Sequence, residues 1–262
     1  MSLGSGSSGN CYYLGTETYG LFIDAGIGIR SIKKICKEYN LPLETIKGVF
    51  VTHDHADHIK AVGHLAGKYN IPIYTTPEIH HGMSRSYCMT ERISEANTRF
   101  IHKEESLQIE DFTITCFEVP HDGSDNVGYC ISIDGKVFSF LTDIGHITET
   151  AGKYIGCANY LILEANYDES MLQMGPYPAH LKARIASPTG HMSNREMAEY
   201  LANHFPEGLQ YLWLCHLSKD NNHPDLAFKT VELALKEKNI IVGRDVQVIP
   251  LKRTSPSEIY SL

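Results

Sequence analysis

The sequence predicts a layered α/β fold in which two β-sheets pack face to face with helices on the outside. Three observations support this prediction. Short apolar strands dominate the middle of the 262-residue chain, helical patterns occur towards both ends, and no linker marks a boundary. Strands and helices of this kind bury their apolar faces by stacking in layers. We therefore predict a single domain that spans residues 1–262.

The first third of the chain alternates strands with helical segments. Its glycine-serine opening, residues 4–9, has the composition of a flexible linker, but a strand follows without a break. The predicted strands are Cys11 to Leu14, Gly20 to Asp24, Gly48 to Thr52 and Ile71 to Thr75. The predicted helices are Ser31 to Tyr39, Ile59 to Tyr69 and one near Glu78.

The rest of the chain begins with hairpin-like strands from Phe112 to Leu141, where Asp134-Gly135 forms a favourable turn. The final third alternates strands with helices. Its strands are Tyr160 to Leu163, Tyr211 to Leu214 and Val246 to Ile249, and its helices are Asn194 to His204 and Pro224 to Lys236.

Composition limits the possible functions. The chain has 23 Lys+Arg against 31 Asp+Glu, a net charge of −8, which argues against a broad basic surface but is compatible with a local basic groove. Its seven cysteines are scattered without a C-x-x-C pair, which predicts reduced, mostly buried thiols in a cytoplasmic protein. The sequence shows neither an apolar run of roughly 20 residues nor a signal peptide, so we expect no membrane partner.

A cluster of metal-ligand residues follows the strand that ends at Thr52. The sequence there is His53-Asp54-His55-Ala56-Asp57-His58, and a helix begins at about Ile59. Alternate residues of an extended segment share a side, so the first two histidines can bind one ion. The last two residues lie at the turn into the helix and can face a second ion. Imidazoles and carboxylates suit zinc, manganese or iron.

Three further ligand-type residues end predicted strands. His121 ends the run Phe117 to Pro120, Asp143 ends Phe138 to Thr142, and His216 ends Tyr211 to Cys215. One histidine after a strand is weak evidence, because loop residues are often polar. The repetition is stronger evidence, since strand ends on one edge of a sheet converge on one site.

With these motifs in order, the whole chain resembles the metallo-β-lactamase superfamily. The resemblance implies a four-layer αββα fold and two divalent metal ions. One ion would be held by His53, His55 and His121, and the other by Asp57, His58 and His216. Asp143 would bridge the two ions, and Asp24 would orient a ligand imidazole. The motifs do not specify a substrate, because this fold carries several activities.

Details of the motifs narrow the substrate class. The flavodiiron oxygen reductases have glutamate where this chain has His55, and true β-lactamases lack the carboxylate found here at Asp143. A thioesterase of the glyoxalase type keeps all seven ligands and stays an alternative. The segment Gly190-His191-Met192-Ser193, with Glu164 at a strand end, resembles the branch that contains ribonuclease Z and a cyclic phosphodiesterase of phosphonate metabolism. That resemblance implies that His191 contacts the scissile phosphate, with Glu164 as its acidic partner.

Within this branch the chain resembles the YycJ/WalJ group of bacterial proteins, which act as 5′-to-3′ exonucleases on DNA in replication and repair. The resemblance rests on residues 4–11, Thr52 to His58, Leu163 to Asp168, Gly190 to Asn194 and His216 to Asn222. It implies that DNA rather than RNA is the partner. Ser7, Ser8, Asn10 and His191 are the candidate substrate residues, because the amides of a glycine-rich loop can approach a phosphate. A plain turn before a strand explains the opening loop equally well.

The resulting prediction is a metal-dependent phosphodiesterase with two ions, zinc or manganese, and iron as a third candidate. Asp57 and Asp143 would orient the attacking water, and His191, held protonated by Glu164, would stabilise charge or protonate the leaving oxygen. Two alternatives stay open. One is a small-molecule ester hydrolase, either a thioesterase or a cyclic phosphodiesterase. The other is a metal-binding scaffold without turnover.

Overall fold

The computed structural model describes all 262 residues, and the chain forms two compact units. The first consists of Met1–His102, Gly123–Asn126 and Lys252–Leu262, and the second of Lys103–Asp122 and Val127–Leu251. Each unit is built on its own β-sheet. No helix is both long and apolar enough to cross a membrane. The organisation as a single domain stays a prediction.

The first unit contains a six-stranded mixed sheet in sequential order. The strands are β1 (Ser2–Gly4), β2 (Cys11–Gly15), β3 (Gly20–Ile23), β4 (Ile46–Phe50), β5 (Ile73–Thr75) and β6 (Thr98–Phe100). The helices are α1 (Ile29–Glu38), α2 (Ala56–Ile59), α3 (Val62–Tyr69) and α4 (Pro77–Arg85). Strands β1 to β3 pair antiparallel, whereas β3 to β6 pair parallel.

The second unit contains a seven-stranded mixed sheet in the order β13-β12-β11-β10-β9-β8-β7. The strands are β7 (Ser106–Ile109), β8 (Phe112–Glu118), β9 (Val127–Ile133), β10 (Lys136–Leu141), β11 (Tyr160–Glu164), β12 (Tyr211–Cys215) and β13 (Gln247–Pro250). The helices are α5 (Glu149–Gly156), α6 (Glu169–Met174), α7 (Ala179–Ile185), α8 (Asn194–Asn203) and α9 (Pro224–Glu237). Strands β7 to β10 pair antiparallel, and β10 to β13 pair parallel.

The core of the second unit lies between its sheet and helices α8 and α9. Leu163 of β11 and Leu214 of β12 belong to one buried apolar cluster with Leu201 of α8 and Val231 of α9. These residues follow the periodicities of strand and helix that bring one side of each element to a shared core. The predicted turn at Asp134-Gly135 is confirmed: both residues have positive φ, 50° and 73°, as a tight hairpin between β9 and β10 requires.

The opening of the chain contains a strand that the sequence did not predict. Ser2–Gly4 forms β1, a buried edge strand that pairs with β2, and a short loop leads from β1 into β2. Gly9 in that loop has a φ of 143°, and a Cβ there would lie 2.7 Å from the carbonyl oxygen of Gly26. A residue other than glycine would therefore strain the backbone. The glycines give the loop a defined shape.

The helix after the histidine-aspartate cluster also differs from the prediction. It begins at Ala56 rather than near Ile59, so Asp57 and His58 lie in its first turn. This helix, α2, is only four residues long, and a separate helix, α3, begins at Val62. The hydrophobic pattern runs through both helices, so the sequence did not reveal the break.

Both sheets place polar residues where strands end. In the second unit β8 runs in the same direction as β10, because each pairs antiparallel with β9. The carboxyl ends of β8, β10, β11 and β12 therefore lie at one edge of that sheet. The residues at or just after these ends include His121, Asp143, Glu164 and His216. In open α/β sheets this edge is where ligands bind.

Candidate metal centre

In the first unit, four ligand-type side chains gather just after β4. The ring centroids of His53 and His55 are 4.6 Å apart, and those of His53 and His58 are 4.0 Å apart. His58 Nε2 lies 3.8 Å from Asp57 Oδ2. His53 and His58 are buried. The extended segment and the first turn of α2 thus bring the predicted ligands of this motif together.

Asp24, at the end of β3, holds one of these histidines. Its Oδ2 accepts a hydrogen bond from His58 Nδ1 at 2.8 Å, and its Oδ1 accepts the backbone N–H of Thr52 at 2.8 Å. The Thr52 hydroxyl donates to Asp24 Oδ2 at 2.9 Å and accepts from His53 Nδ1 at 3.0 Å. Burial raises the pKa of Asp24, although the charge of His58 opposes this shift. Because Asp24 and Thr52 place oxygen atoms beside the two Nδ1 atoms, these contacts favour the tautomer that leaves the lone pair on Nε2.

The backbone explains how the cluster packs so closely against the end of β3. Ala25 N–H donates to the carbonyl oxygen of His58 at 2.8 Å, and Ala61 N–H donates to that of Ala25 at 2.8 Å. A Cβ on Gly26 would lie 1.6 Å from the carbonyl oxygen of Asp57. Only glycine fits at this contact. Gly26 therefore allows the backbone of Asp57 and His58 to pack against the segment that follows β3.

The predicted substrate residues of the opening loop occupy two environments. Ser7 and Ser8 are exposed at the loop tip. Asn10 is buried; its Oδ1 accepts the N–H of Gly6 at 2.8 Å, and its Nδ2 donates to His58 Nε2 at 2.9 Å. Asn10 therefore fixes the loop and contacts the ligand-type nitrogen of His58.

In the second unit, Asp143, Glu164, His191 and His216 place their ligand-type atoms within 4.8 Å of one another. Glu164 lies at the centre of the cluster. Its Oε1 accepts hydrogen bonds from His191 Nδ1 at 2.7 Å and from His216 Nδ1 at 2.9 Å. Asp143 Oδ1 lies 3.3 Å from His216 Nδ1 and 3.6 Å from His191 Nδ1. The paired contact of His191 with Glu164 is the one that the sequence predicted.

The surroundings of Glu164 lower its pKa. Its side chain is fully buried, and its Oε2 accepts the backbone N–H groups of Ile144 at 2.9 Å and Met192 at 3.3 Å. Burial raises the pKa of Glu164, but the charge and hydrogen bond of His191 outweigh burial, and the net shift is downward. Burial likewise lowers the pKa of His191, but Glu164 outweighs it and the net shift is upward. The pair favours a carboxylate beside an imidazolium.

His121 follows β8, and its pKa is shifted downward, whereas that of His191 is shifted upward. Its Nδ1 donates to the carbonyl oxygen of Gly190 at 2.7 Å, and its Nε2 lies 3.8 Å from Asp143 Oδ1. Burial lowers the pKa of His121, which favours the neutral ring that binds metals. A Cβ on Gly190 would lie 2.2 Å from the carbonyl oxygen of Arg184, so the turn that presents Gly190 to His121 also requires glycine.

The donor set fits divalent metal ions. Four of the predicted ligand histidines anchor Nδ1 on a neighbouring oxygen, which leaves Nε2 as the ligand nitrogen, as is usual for metal-binding imidazoles. These anchors are Thr52 for His53, Asp24 for His58, the Gly190 carbonyl for His121 and Glu164 for His216. Each unit adds a carboxylate to its imidazoles, Asp57 in the first and Asp143 in the second, and ligands of these two kinds suit zinc, manganese or iron.

Three residues of these clusters had no predicted role. Thr52 links Asp24 to His53. Asn166 donates from Nδ2 to Glu164 Oε1 at 3.2 Å and to the carbonyl oxygen of His216 at 2.9 Å. Asp54 accepts the N–H and hydroxyl of Ser124 at 3.0 and 2.6 Å. The alternation of an extended strand could have indicated that Asp54 points away from its two histidine neighbours.

Replacing Asp24 with asparagine should weaken metal binding without removing a ligand. The variant would lose the charge opposite His58 Nδ1, and such outer partners typically contribute about 10–100-fold in metal affinity. Competition with a chelator measures the change. Asp225, which is exposed at the start of α9, supplies the control Asp225→Asn. Unchanged metal affinity in the Asp24 variant would contradict its role as an anchor.

The sequence of the chain is similar to those of known proteins. Residues 20–211 match the family described as the β-lactamase superfamily domain. The chain is 32% identical to exodeoxyribonuclease YycJ of Bacillus anthracis over 98% of this chain and 96% of the relative. It is 33% identical to exodeoxyribonuclease WalJ of Streptococcus pneumoniae over 94% and 91%.

Solved structures share the fold at lower sequence identity. The metallo-β-lactamase fold protein YhfI of Bacillus subtilis superposes with a TM-score of 0.68 at 20% identity, covering 96% of this chain and 95% of that one. Zinc-bound PqqB of Methylobacterium extorquens gives 0.69 at 16% identity, covering 96% and 97%. These likenesses confirm the predicted fold class. The chain therefore belongs to the metallo-β-lactamase superfamily and is a metal-dependent hydrolase.

Proposed function

We propose that this enzyme is a two-metal phosphodiesterase that degrades DNA from the 5′ end. The observation that carries the proposal is the contact of His191 with Glu164 beside Asp143, in a segment of the G-H-x-S type. A protonated imidazole suits a phosphodiester, whose departing oxygen needs a proton. The names of the two relatives, which match nearly the full length of the chain, support DNA as the substrate.

We propose that seven residues hold two divalent ions, either zinc or manganese. His53, His55 and His121 would hold one ion, Asp57, His58 and His216 would hold the other, and Asp143 would bridge them. The ions, when bound, lower the pKa of a coordinated water and neutralise charge on the phosphate oxygens. Anchored histidine rings in both units support this assignment.

The side chains of the enzyme would then have separate roles in hydrolysis. The carboxylates of Asp57 and Asp143 orient the attacking water and can accept its proton. Glu164 holds His191 through Nδ1 and stabilises its charged form, so that Nε2–H can donate to the oxygen that leaves phosphorus. Because Glu164 also holds His216, one buried carboxylate positions both an acid and a ligand.

The opening loop would supply contacts to the substrate. Ser7 and Ser8 are exposed and can donate to phosphate oxygens. Asn10 would act by fixing the loop, since its Oδ1 accepts the N–H of Gly6 and its Nδ2 donates to the carbonyl oxygen of Gly6. A small contact area accords with the net charge of −8. The salt dependence of binding should therefore be shallow, because each phosphate contact adds about 0.9 to its slope on duplex DNA.

Digestion of end-labelled DNA tests the proposed activity. Duplexes labelled at either the 5′ or the 3′ end are incubated with the enzyme and manganese or zinc. RNA of the same sequence, a thioester and a small cyclic diester are tested beside them. We expect early release of the 5′ label, retention of the 3′ label until late, and slower cleavage of RNA. Cleavage of only the thioester or a small cyclic diester would contradict the nuclease assignment. Absence of turnover on every substrate would favour a metal-binding scaffold.

A further inference from the structure

Two cysteines of the second unit meet where the end of α5 packs on the sheet. Cys130 on β9 lies directly opposite Ser139 on β10. The Ser139 hydroxyl donates to the carbonyl oxygen of Tyr154 at 2.7 Å, and the Cys157 thiol donates to the same oxygen at 3.4 Å. Opposite residues of an antiparallel pair have Cβ atoms about 4.5–5.5 Å apart. The geometry therefore brings Cys130 beside Cys157, and their side chains hydrogen-bond.

The two thiols differ in exposure and acidity. Cys157 caps α5 and is exposed, whereas Cys130 is partly buried against the core. The hydrogen bond from Cys130 lowers the pKa of Cys157 to about 7, with a smaller contribution from Lys153, one helical turn earlier. The same hydrogen bond, with burial, raises the pKa of Cys130. Because the thiolate is the reactive form, Cys157 is the nucleophile of the pair.

The other cysteines lack this combination of features. Cys11 and Cys36 interact electrostatically, but both are buried, and burial raises the pKa of each, in the case of Cys36 to about 11. Cys88 is partly exposed, and its sulfur lies 3.3 Å from the hydroxyl oxygen of Ser86. Cys116 and Cys215 are buried. An exposed thiol beside a second thiol is thus found at Cys157 and Cys130.

We propose that Cys130 and Cys157 form a redox-sensitive pair that a small disulfide, such as oxidised glutathione, converts reversibly into an intramolecular disulfide. The Cys157 thiolate attacks one sulfur of the oxidant, breaks its S–S bond and releases one glutathione thiolate. The Cys130 thiol then loses its proton and attacks the Cys157 sulfur, which releases the second glutathione. The protein loses two electrons and two protons, and the oxidant gains them.

Oxidation followed by peptide mapping tests this proposal. The metal-loaded enzyme is incubated with oxidised glutathione, quenched by alkylation, digested and analysed by mass spectrometry. We expect a linked peptide pair containing Cys130 and Cys157, and reversal of the link by a reducing thiol. The intact mass of a sample taken before alkylation should be lower by two hydrogen atoms. At pH 7, before oxidation, Cys157 should be alkylated about threefold faster than an unperturbed cysteine, after allowance for its lower intrinsic nucleophilicity.

Three variants distinguish the pair from general thiol reactivity. Cys130→Ser should stop the reaction at a mixed disulfide between glutathione and Cys157. Cys157→Ser should leave Cys130 unmodified under the same conditions. Cys88→Ser is the matched control and should form the linked peptide as the wild type does. A wild-type enzyme that stays unmodified, or that accumulates glutathione on Cys157 without forming the link, would overturn the proposal.

Discussion

Asp143→Ala should lower turnover of bis-p-nitrophenyl phosphate by about 10³-fold or more. The proposed site has one carboxylate shared by both ions, and each bound ion contributes several kcal/mol of transition-state stabilisation. Asp143 Oδ1 also lies within 3.3–3.8 Å of nitrogen atoms of His121, His191 and His216, so its loss leaves three imidazoles without their common acidic neighbour. The measurement pairs turnover with metal content.

Controls separate this effect from a loss of folding. Asp143→Asn keeps the size of the side chain and removes its charge, so it should lose activity to a similar degree while melting close to the wild type. Asp225→Ala changes an exposed carboxylate and should retain full activity. An Asp143→Ala enzyme that keeps both ions and more than a tenth of wild-type turnover would contradict the bridging role.

His191→Ala should retain both ions and lower turnover by about 10²–10⁴-fold, the range for a positioned acid or base. Metal binding and turnover can be separated because His191 is not one of the seven proposed metal ligands. His191 contacts Glu164 through Nδ1, and Glu164 keeps its hydrogen bond to His216 when the His191 ring is removed. Metal content by elemental analysis and turnover of the same preparation check both parts of this prediction.

Comparison of His191→Ala with Glu164→Gln tests whether His191 acts in turnover alone. Loss of the Glu164 charge affects His191 and His216 together, so this variant should lose metal affinity as well as turnover. His180→Ala, an exposed histidine on α7, is the matched control and should behave like the wild type. If His191→Ala turns over diesters at the native rate, His191 is only a loop residue that precedes the Ser193 cap of α8.

Much of the fold could be predicted because its longer elements carry clear hydrophobic patterns. The predicted strand Tyr160 to Leu163 is observed as Tyr160–Glu164, and the predicted helix Pro224 to Lys236 as Pro224–Glu237. Helices α5, α6 and α7 were missed. They have eight, six and seven residues, which is too short for a 3.6-residue period to repeat clearly.

The ligand-type residues could be predicted because their chemistry is concentrated at strand ends. The anchors were harder to identify, since their roles depend on tertiary contacts. Asp24 was named only through resemblance to the superfamily. Asn166 is an ordinary amide in the sequence, and only the fold brings it to Glu164 and to the backbone of His216, which is 50 residues away. Cys130 and Cys157 are likewise paired by the hairpin and by α5 rather than by a motif.

Metal stoichiometry measured together with activity tests the central claim most directly. The enzyme is stripped with a chelator and manganese or zinc is added back stepwise. Bound metal, hydrolysis of bis-p-nitrophenyl phosphate and hydrolysis of a thioester are measured at each step. We predict that diester hydrolysis rises with the second equivalent bound, reaches its maximum at two ions per chain, and exceeds thioester hydrolysis throughout. Full diester activity with one ion or none would contradict the two-metal phosphodiesterase.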